Sequence, residues 1–180
     1  LIAGPIVHHK EMMYQFSNIR NKVRSYSNIT KGLFIFSIGL FKKVVIADSF
    51  SIWATSGFDE SNALNLFEAW ATSLSYTFQL YFDFSGYMDM AIGVALLFNI
   101  KLPENFNSPY KATGMIDFWR RWHITLTNFI TTYVYTPLIR SLKKPTFHLV
   151  MGMTVVTFLI AGLWHGASWM FIIFGALNGI

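Results

Sequence analysis

An all-α integral membrane fold of several helices is what this 180-residue chain predicts, and three observations predict it. Hydrophobic residues make up 53% and charged residues only 13%, with a mean hydropathy of +0.41, whereas soluble domains carry about 25% charged residues. From Pro145 to Ile180, thirty-six consecutive residues include no Asp, Glu, Lys or Arg, more than the roughly 20 that cross a bilayer core. Aromatic residues reach 18%, with 18 Phe, 8 Tyr and 6 Trp, which suits interfacial belts and tunnel walls better than a soluble core. With no Cys, the chain has no disulfide framework, thiolate nucleophile, Cys-ligated zinc or iron–sulfur cluster. The net charge of +5 is clustered, which suits loops beside lipid headgroups, and no nucleic-acid motif appears. The chain opens Leu1-Ile2-Ala3-Gly4-Pro5 with no signal pattern and stops inside an apolar run, so it reads as an internal stretch of a longer polytopic protein, both ends truncated.

The first element is the basic segment Lys10, Arg20, Lys22, Arg24 and Lys31, which stand against the single Glu11 and read as a cytoplasmic loop or surface helix. His8-His9-Lys10 lacks a second ligand pair, so no metal site is expected there. Gly32 to Val45 is an apolar helix candidate whose Lys42-Lys43 pair reads as an anchor at a helix end, the stems snorkelling to an interface. Asp59-Glu60-Ser61-Asn62 is a polar turn, expected on the side opposite the basic loops. Leu64 to Ile100 then runs 37 residues with only Glu68, Asp83 and Asp89 charged, enough for one long span or two short ones. Asp83 and Asp89 fall about 240° apart on a helix and do not face each other as an acid/base pair. Each is expected to pair with a cation or to cap a broken helix end, although a place at a substrate site stays open.

Lys101 to Tyr110, with Pro103 and Pro109, predicts an ordered loop. From Met115 a helical pattern begins, Asp117 lying near its positive end. Trp119, Trp122, His123, Leu126, Ile130 and Tyr133 recur at helical spacing, which places His123 on the apolar, aromatic face. Arg121, Thr125, Asn128 and Thr132 line another face. Arg120 and Arg121 either anchor at the membrane surface, bind an anionic ligand, or pair with Asp83 or Asp89. Pro137 and the cluster Arg140, Lys143, Lys144 close the element at a second basic loop.

In the final uncharged run His165 is the one titratable group at or near membrane depth besides His148 close to its start, and an ionisable group there is a functional candidate. Gly162 and Gly166 thin the backbone beside it and leave room for a substrate or a neighbouring helix. Trp164 and Trp169 are expected to wall the site. A histidine in an apolar helix can equally serve only as an interhelical hydrogen-bonding group.

These residues carry a family resemblance. Leu1 to Val7, Phe41-Lys42-Lys43-Val44-Val45-Ile46-Ala47-Asp48, Tyr81 to Gly93, Asn105-Phe106-Asn107-Ser108-Pro109-Tyr110, Phe118-Trp119-Arg120-Arg121-Trp122-His123-Ile124-Thr125-Leu126 and Leu163-Trp164-His165-Gly166 stand in the order seen in membrane-bound O-acyltransferases. The chain resembles most the bacterial branch that O-acetylates alginate or peptidoglycan; the D-alanyl transferases of teichoic acid are related but typically differ at Ser85 and Met88-Asp89. Val7-His8-His9 departs from the pattern, where many relatives carry a basic residue. The resemblance implies that residues 1–180 are the central portion of a single acyltransferase domain in a multi-pass protein of the bacterial inner membrane. It further implies His165 as the catalytic histidine, His123 as the second histidine of an acyl tunnel, acetyl-CoA or a related acyl thioester as donor substrate, no bound cofactor or metal, and a glycan acceptor or separate extracytoplasmic acetyltransferase as partner.

The chemistry of the residues is compatible with that implication. Acyl transfer to a hydroxyl needs a base, and a neutral imidazole suits the task near pH 7. Ser168 is the one hydroxyl close to His165 in sequence, so direct transfer is expected rather than an acyl-serine intermediate. His123 or Arg121 is expected to orient the thioester or steady the oxyanion. Trp119, Arg120, Trp122, Trp164, Asp83 and Asp89 complete the candidate donor-binding set. A proton-coupled transporter would also place His and Asp in spans but predicts inverted repeats; a purely structural subunit predicts that both histidines tolerate substitution.

Overall fold

The computed structural model of the chain describes residues 4–61 and 63–180. Within them every regular element is helical, and they divide into two compact units meeting in sequence at Lys111 and Ala112. Residues 1–3 of the amino-terminal motif and Asn62 of the polar turn lie outside the described residues.

The first unit is a helical hairpin with an amino-terminal strap. Helix α1 (His9–Ser17) and a 3₁₀ turn (Ile19–Lys22) carry much of the basic segment, so of the loop and the surface helix left open there, the helix is what forms from His9. Helix α2 (Tyr26–Phe41), capped by the Ser25 side chain, continues through a π-turn (Lys42–Ala47) into α3 (Asp48–Thr55) and a second π-turn (Ser56–Glu60). The Asp48 N–H reaches back to the Lys43 carbonyl, the five-residue step that defines the widened turn. Lys42 and Lys43 are therefore in the middle of a continuous helical rod, not at a helix end. Helical geometry also runs through Glu60, so the acidic turn begins at Ser61, later than predicted.

The returning arm is α4 (Leu66–Leu97), one long helix rather than two short ones. It begins with a reciprocal capping box: Asn65 Oδ1 accepts from the Glu68 N–H at 3.0 Å, and Glu68 Oε2 accepts from the Asn65 N–H at 2.8 Å. Glu68, counted in sequence as a charge within an apolar run, is thus a cap. The helix ends at Asn99, whose φ of 57° is the left-handed conformation Asn tolerates. Its amide donates to the carbonyls of Asn21 at 3.0 Å and Val23 at 2.7 Å, tying the basic strap to this end of the hairpin. The basic strap and the acidic residues Asp59 and Glu60 accordingly lie at opposite ends of the hairpin.

Two glycine pairs bring the arms together. A Cβ on Gly32 would stand 2.6 Å from the Gly93 carbonyl oxygen, and one on Gly39 would stand 2.5 Å from that of Gly86. Apart from Met88, the buried residues of α2 and α4 are small or polar, namely Gly32, Gly39, Thr72, Ser75, Ser85, Gly86 and Gly93, whereas Trp53, Phe67 and Trp70 are more than 60% exposed. Small and polar residues inside with large apolar ones outside is the packing of helices whose surroundings are lipid. The loop 98–114 is ordered as predicted. Tyr110 donates to the Thr77 carbonyl at 3.0 Å and packs on Tyr81, while Asn105 and Pro109 are fully buried.

The second unit holds α5 (Met115–Trp119), α6 (Ile124–Ile130), a π-turn (Thr131–Tyr135), α7 (Thr136–Ser141), α8 (Phe147–His165) and α9 (Trp169–Gly179). The single helix predicted from Met115 is broken. His123 adopts φ 46° and ψ 52° between α5 and α6, a left-handed conformation that costs about 1–2 kcal/mol in a non-glycine residue. Pro137 does not close the element. It opens α7, and the Thr136 N–H bonds to the Thr131 carbonyl five residues back, a widened turn that accommodates the helical ladder just before a residue lacking its own N–H.

The uncharged carboxy-terminal run folds as an antiparallel hairpin. Thr146 caps α8 and Ser168 caps α9, each through its side-chain oxygen. Gly162 sits against the Phe171 backbone, Gly175 against Phe158 and Gly179 against Val155. Among the described residues, α4 and α8 are the two helices long and apolar enough to cross a membrane.

Candidate active site

The second unit brings the two predicted histidines into one aromatic cluster. His165 is the last residue of α8, where the chain leaves the helix through Gly166. It is exposed in this chain and can be approached by a ligand. The Trp164 ring lies 5.0 Å from the His165 ring and 6.1 Å from that of His123, so one indole bridges the two imidazoles. Phe171 stacks on His165 at 6.0 Å and Phe174 meets it edge-on at 6.1 Å. Both rings come from α9, which the glycines admit. Beside His165 the glycines receive a neighbouring helix, α9, one of the two occupants the sequence left open. Trp169 was predicted as a wall, but it starts α9 with 78% of its surface exposed; Phe171 and Phe174 take that place.

His123 is buried, with 5% exposure, as are its neighbours Thr125 and Leu126. The left-handed break turns its imidazole toward Trp164 where a straight helix would have carried it along the stripe. His123 lies outside the two span-length helices, and burial pushes its imidazole down to about 4, with the His165 imidazole adding to the effect. A neutral ring next to a second imidazole can hand on a hydrogen bond or a proton but brings no fixed charge to the site.

The arginines divide. Arg121 Nε donates to Asp117 Oδ1 at 2.8 Å, one helical turn away, and that hydrogen bond holds the Asp117 carboxyl below the usual carboxylate range. Asp117 is thus a carboxylate partner of Arg121 within its own unit, one that the sequence reading did not name. Arg120 is exposed. Trp119 stands between Phe158, at 5.4 Å, and Phe174, at 6.4 Å, while Trp122 stacks on Phe118.

Asp83 and Asp89 belong to the first unit, where each meets a lysine of the α2 π-turn. Lys42 Nζ bonds to Asp89 Oδ2 at 2.6 Å; Lys43 pairs with Asp83 and reaches Asp48 Oδ1 at 3.6 Å. Pairing with a cation was the structural option foreseen for both carboxylates. What sequence reading missed is the pair of glycine contacts that sets these side chains opposite one another. The signal was present: Gly32 and Gly39, and Gly86 and Gly93, have the same seven-residue spacing. Among the described residues no cluster of three or more His, Cys, Asp or Glu side chains could hold a metal ion.

The sequence model of the membrane-bound O-acyltransferase family matches residues 1–180. Over 180 residues the chain is 61% identical to a peptidoglycan O-acetyltransferase of Helicobacter pylori, covering all of this chain and 34% of that protein. It is 41% identical over 179 residues to a probable alginate O-acetylase of Azotobacter vinelandii, covering 99% of this chain and 35% of the relative. A teichoic acid D-alanyltransferase of Streptococcus thermophilus is 27% identical over 188 residues, covering 99% of this chain and 45% of the relative. The chain spans about a third of the length of the first two relatives.

Proposed function

The chain belongs to the membrane-bound O-acyltransferase family, and from that premise we propose that it forms the central part of a multi-pass inner-membrane O-acetyltransferase. The enzyme takes acetyl from a cytoplasmic thioester, acetyl-CoA or a related acyl donor, and delivers it toward hydroxyls of an extracytoplasmic glycan. Identity of 61% to a peptidoglycan O-acetyltransferase, against 41% and 27% for the alginate and teichoic acid relatives, favours a peptidoglycan-type acceptor, directly or through a separate extracytoplasmic acetyltransferase.

The observation that carries this reading is the His165–Trp164–His123 cluster at the open end of an uncharged helix. The acceptor hydroxyl adds to the thioester carbonyl while the His165 imidazole takes its proton. Collapse of the tetrahedral intermediate forms the ester, breaks the C–S bond and returns the proton to the departing sulfur. His123, neutral and buried, orients the reacting groups through the bridging side of the cluster. Arg120 offers its charge to an anionic donor.

Acetyl transfer measured in membranes holding the full-length protein tests the assignment. His165→Ala is expected to lower the rate by about 10² to 10⁴ at unchanged membrane abundance; near-normal turnover would overturn it. The same reading orients the chain, with Lys10 to Lys31 and Arg140 to Lys144 on the cytoplasmic side. Single cysteines placed in these two segments should react with an impermeant maleimide only after the membrane is opened, and labelling of both from outside intact cells would reverse the topology.

A further inference from the structure

Trp119 contributes a group that the proton-transfer chemistry above does not use. Its indole Nε1 is buried, yet no acceptor stands within hydrogen-bond reach among the described residues. Buried donors in folded proteins are satisfied almost without exception, so an acceptor supplied from elsewhere is expected at this nitrogen. The surroundings restrict what it can be. Phe158, Phe174 and Phe118 pack around the indole, and apolar walls of this kind reject a charged oxygen but admit a neutral carbonyl.

Position narrows the choice further. Phe174 touches Trp119 on one side and His165 on the other, at 6.4 and 6.1 Å between ring centroids. Trp119 is thus one aromatic ring removed from the imidazole assigned to the reaction. On its other side the chain continues directly into the exposed cation Arg120. The order His165, Phe174, Trp119, Arg120 runs from a proton acceptor through an apolar ring and a neutral donor to a positive charge.

We propose that the Trp119 indole N–H donates to an amide carbonyl of the pantetheine arm of the acyl donor. A pantetheine thioester has the same order of chemistry: a reacting carbonyl at the sulfur, then a thin neutral chain with two amides, then phosphate. Its thioester reaches His165, its arm lies along Phe174 and Trp119, and its phosphate end comes to Arg120. Coenzyme A and acyl carrier proteins share this arm. The inference rests on the acyl-transfer reading and makes Trp119 a donor-binding residue rather than a proton-transfer group.

The test uses the full-length enzyme in detergent or nanodiscs, with tryptophan indoles labelled with ¹⁵N and the Trp119 resonance identified by its loss in Trp119→Phe. Saturating S-acetylpantetheine, and acetyl-CoA or an acetylated carrier protein according to which source is used, should shift that resonance downfield. Ethyl thioacetate, which has the reacting carbonyl but no amide, should leave it in place. In steady state Trp119→Phe should raise the KM for the pantetheine donor about 3- to 10-fold with kcat little changed, the signature of a contact equally strong in ground and transition states. A resonance that ignores the pantetheine donors, or moves equally with ethyl thioacetate, would overturn the proposal, as would a loss confined to kcat. If Trp119→Phe fails to reach the membrane, the resonance is identified by elimination, through Trp→Phe variants at the other tryptophans, and the wild-type shift then decides. Failure of the underlying reading looks different: no turnover of any thioester by wild type, or full activity in His165→Ala, removes the reading and the inference together.

Discussion

The two units handle polarity inside apolar helices in opposite ways. In the first, four charges are set into the hairpin and neutralise one another, Lys42 with Asp89 and Lys43 with Asp83. In the second, the carboxy-terminal hairpin carries no formal charge, and its polar chemistry is left to imidazole rings packed among aromatics. The difference teaches where to look for function. A charge that has its counter-ion is committed to holding two helices in register, and removing it disturbs structure. The His165 imidazole, set among the rings of Trp164, Phe171 and Phe174 and exposed, can exchange a proton with a ligand.

Experiments on that contrast rank by expected size. The loss of rate in His165→Ala is expected to be the largest, because on the proposed chemistry it removes the group that takes the proton. Next comes acid sensitivity of the second unit. The His123 imidazole, at about 4 when folded against an ordinary 6.5, leaves the unfolded state binding the extra proton between those values. Stability is therefore full above about pH 6.5 and falls as pH drops toward 4, by at most about 3 kcal/mol. Melting of the detergent-solubilised protein between pH 7.5 and 5 should show a steeper loss in wild type than in His123→Gln; parallel curves would remove His123 as the cause.

The smallest effect belongs to the charge pairs. Asp89→Ala leaves Lys42 without its close partner. Because both side chains keep about a quarter of their surface exposed, 25% and 27%, the cost should be about 1–2 kcal/mol rather than the full penalty of a buried orphan charge. Lys42→Met combined with Asp89→Leu should recover most of the folded yield, read as detergent-resistant monomer. A double variant worse than the single one would mean that the lysine has a task beyond pairing.

How much of this was legible in the residues depends on what kind of information each feature needs. The spans α4 and α8 follow from length and hydropathy alone, both local properties. The break at His123 does not, because Trp119, Trp122, Leu126 and Ile130 keep helical spacing through it; one left-handed residue changes direction without disturbing the pattern of residue types. Pairing of Asp83 and Asp89 with cations was legible as a need, but the partners were not, since choosing lysines over arginines requires the register set by Gly32, Gly39, Gly86 and Gly93. Trp169 was misplaced for a related reason. Adjacency in sequence to His165 says little once the chain turns at Gly166 and presents α9 from Phe171 onward.

The length of α4 has a consequence for the bilayer itself. Its thirty-two residues extend about 48 Å, against a hydrocarbon layer about 30 Å thick. Even a tilt of about 40°, the upper end of the usual range, leaves about 37 Å of vertical rise. At least one end must stand among the headgroups, and the end beginning at Asn65 is furnished for it, with its own hydrogen-bonding cap and Phe67 and Trp70 turned outward. Because the glycine contacts fasten α2 to this helix, a thicker or thinner membrane would tip the hairpin as a single rigid strut. With α4 set across a bilayer, lipid composition would, through thickness alone, set the angle of the first unit.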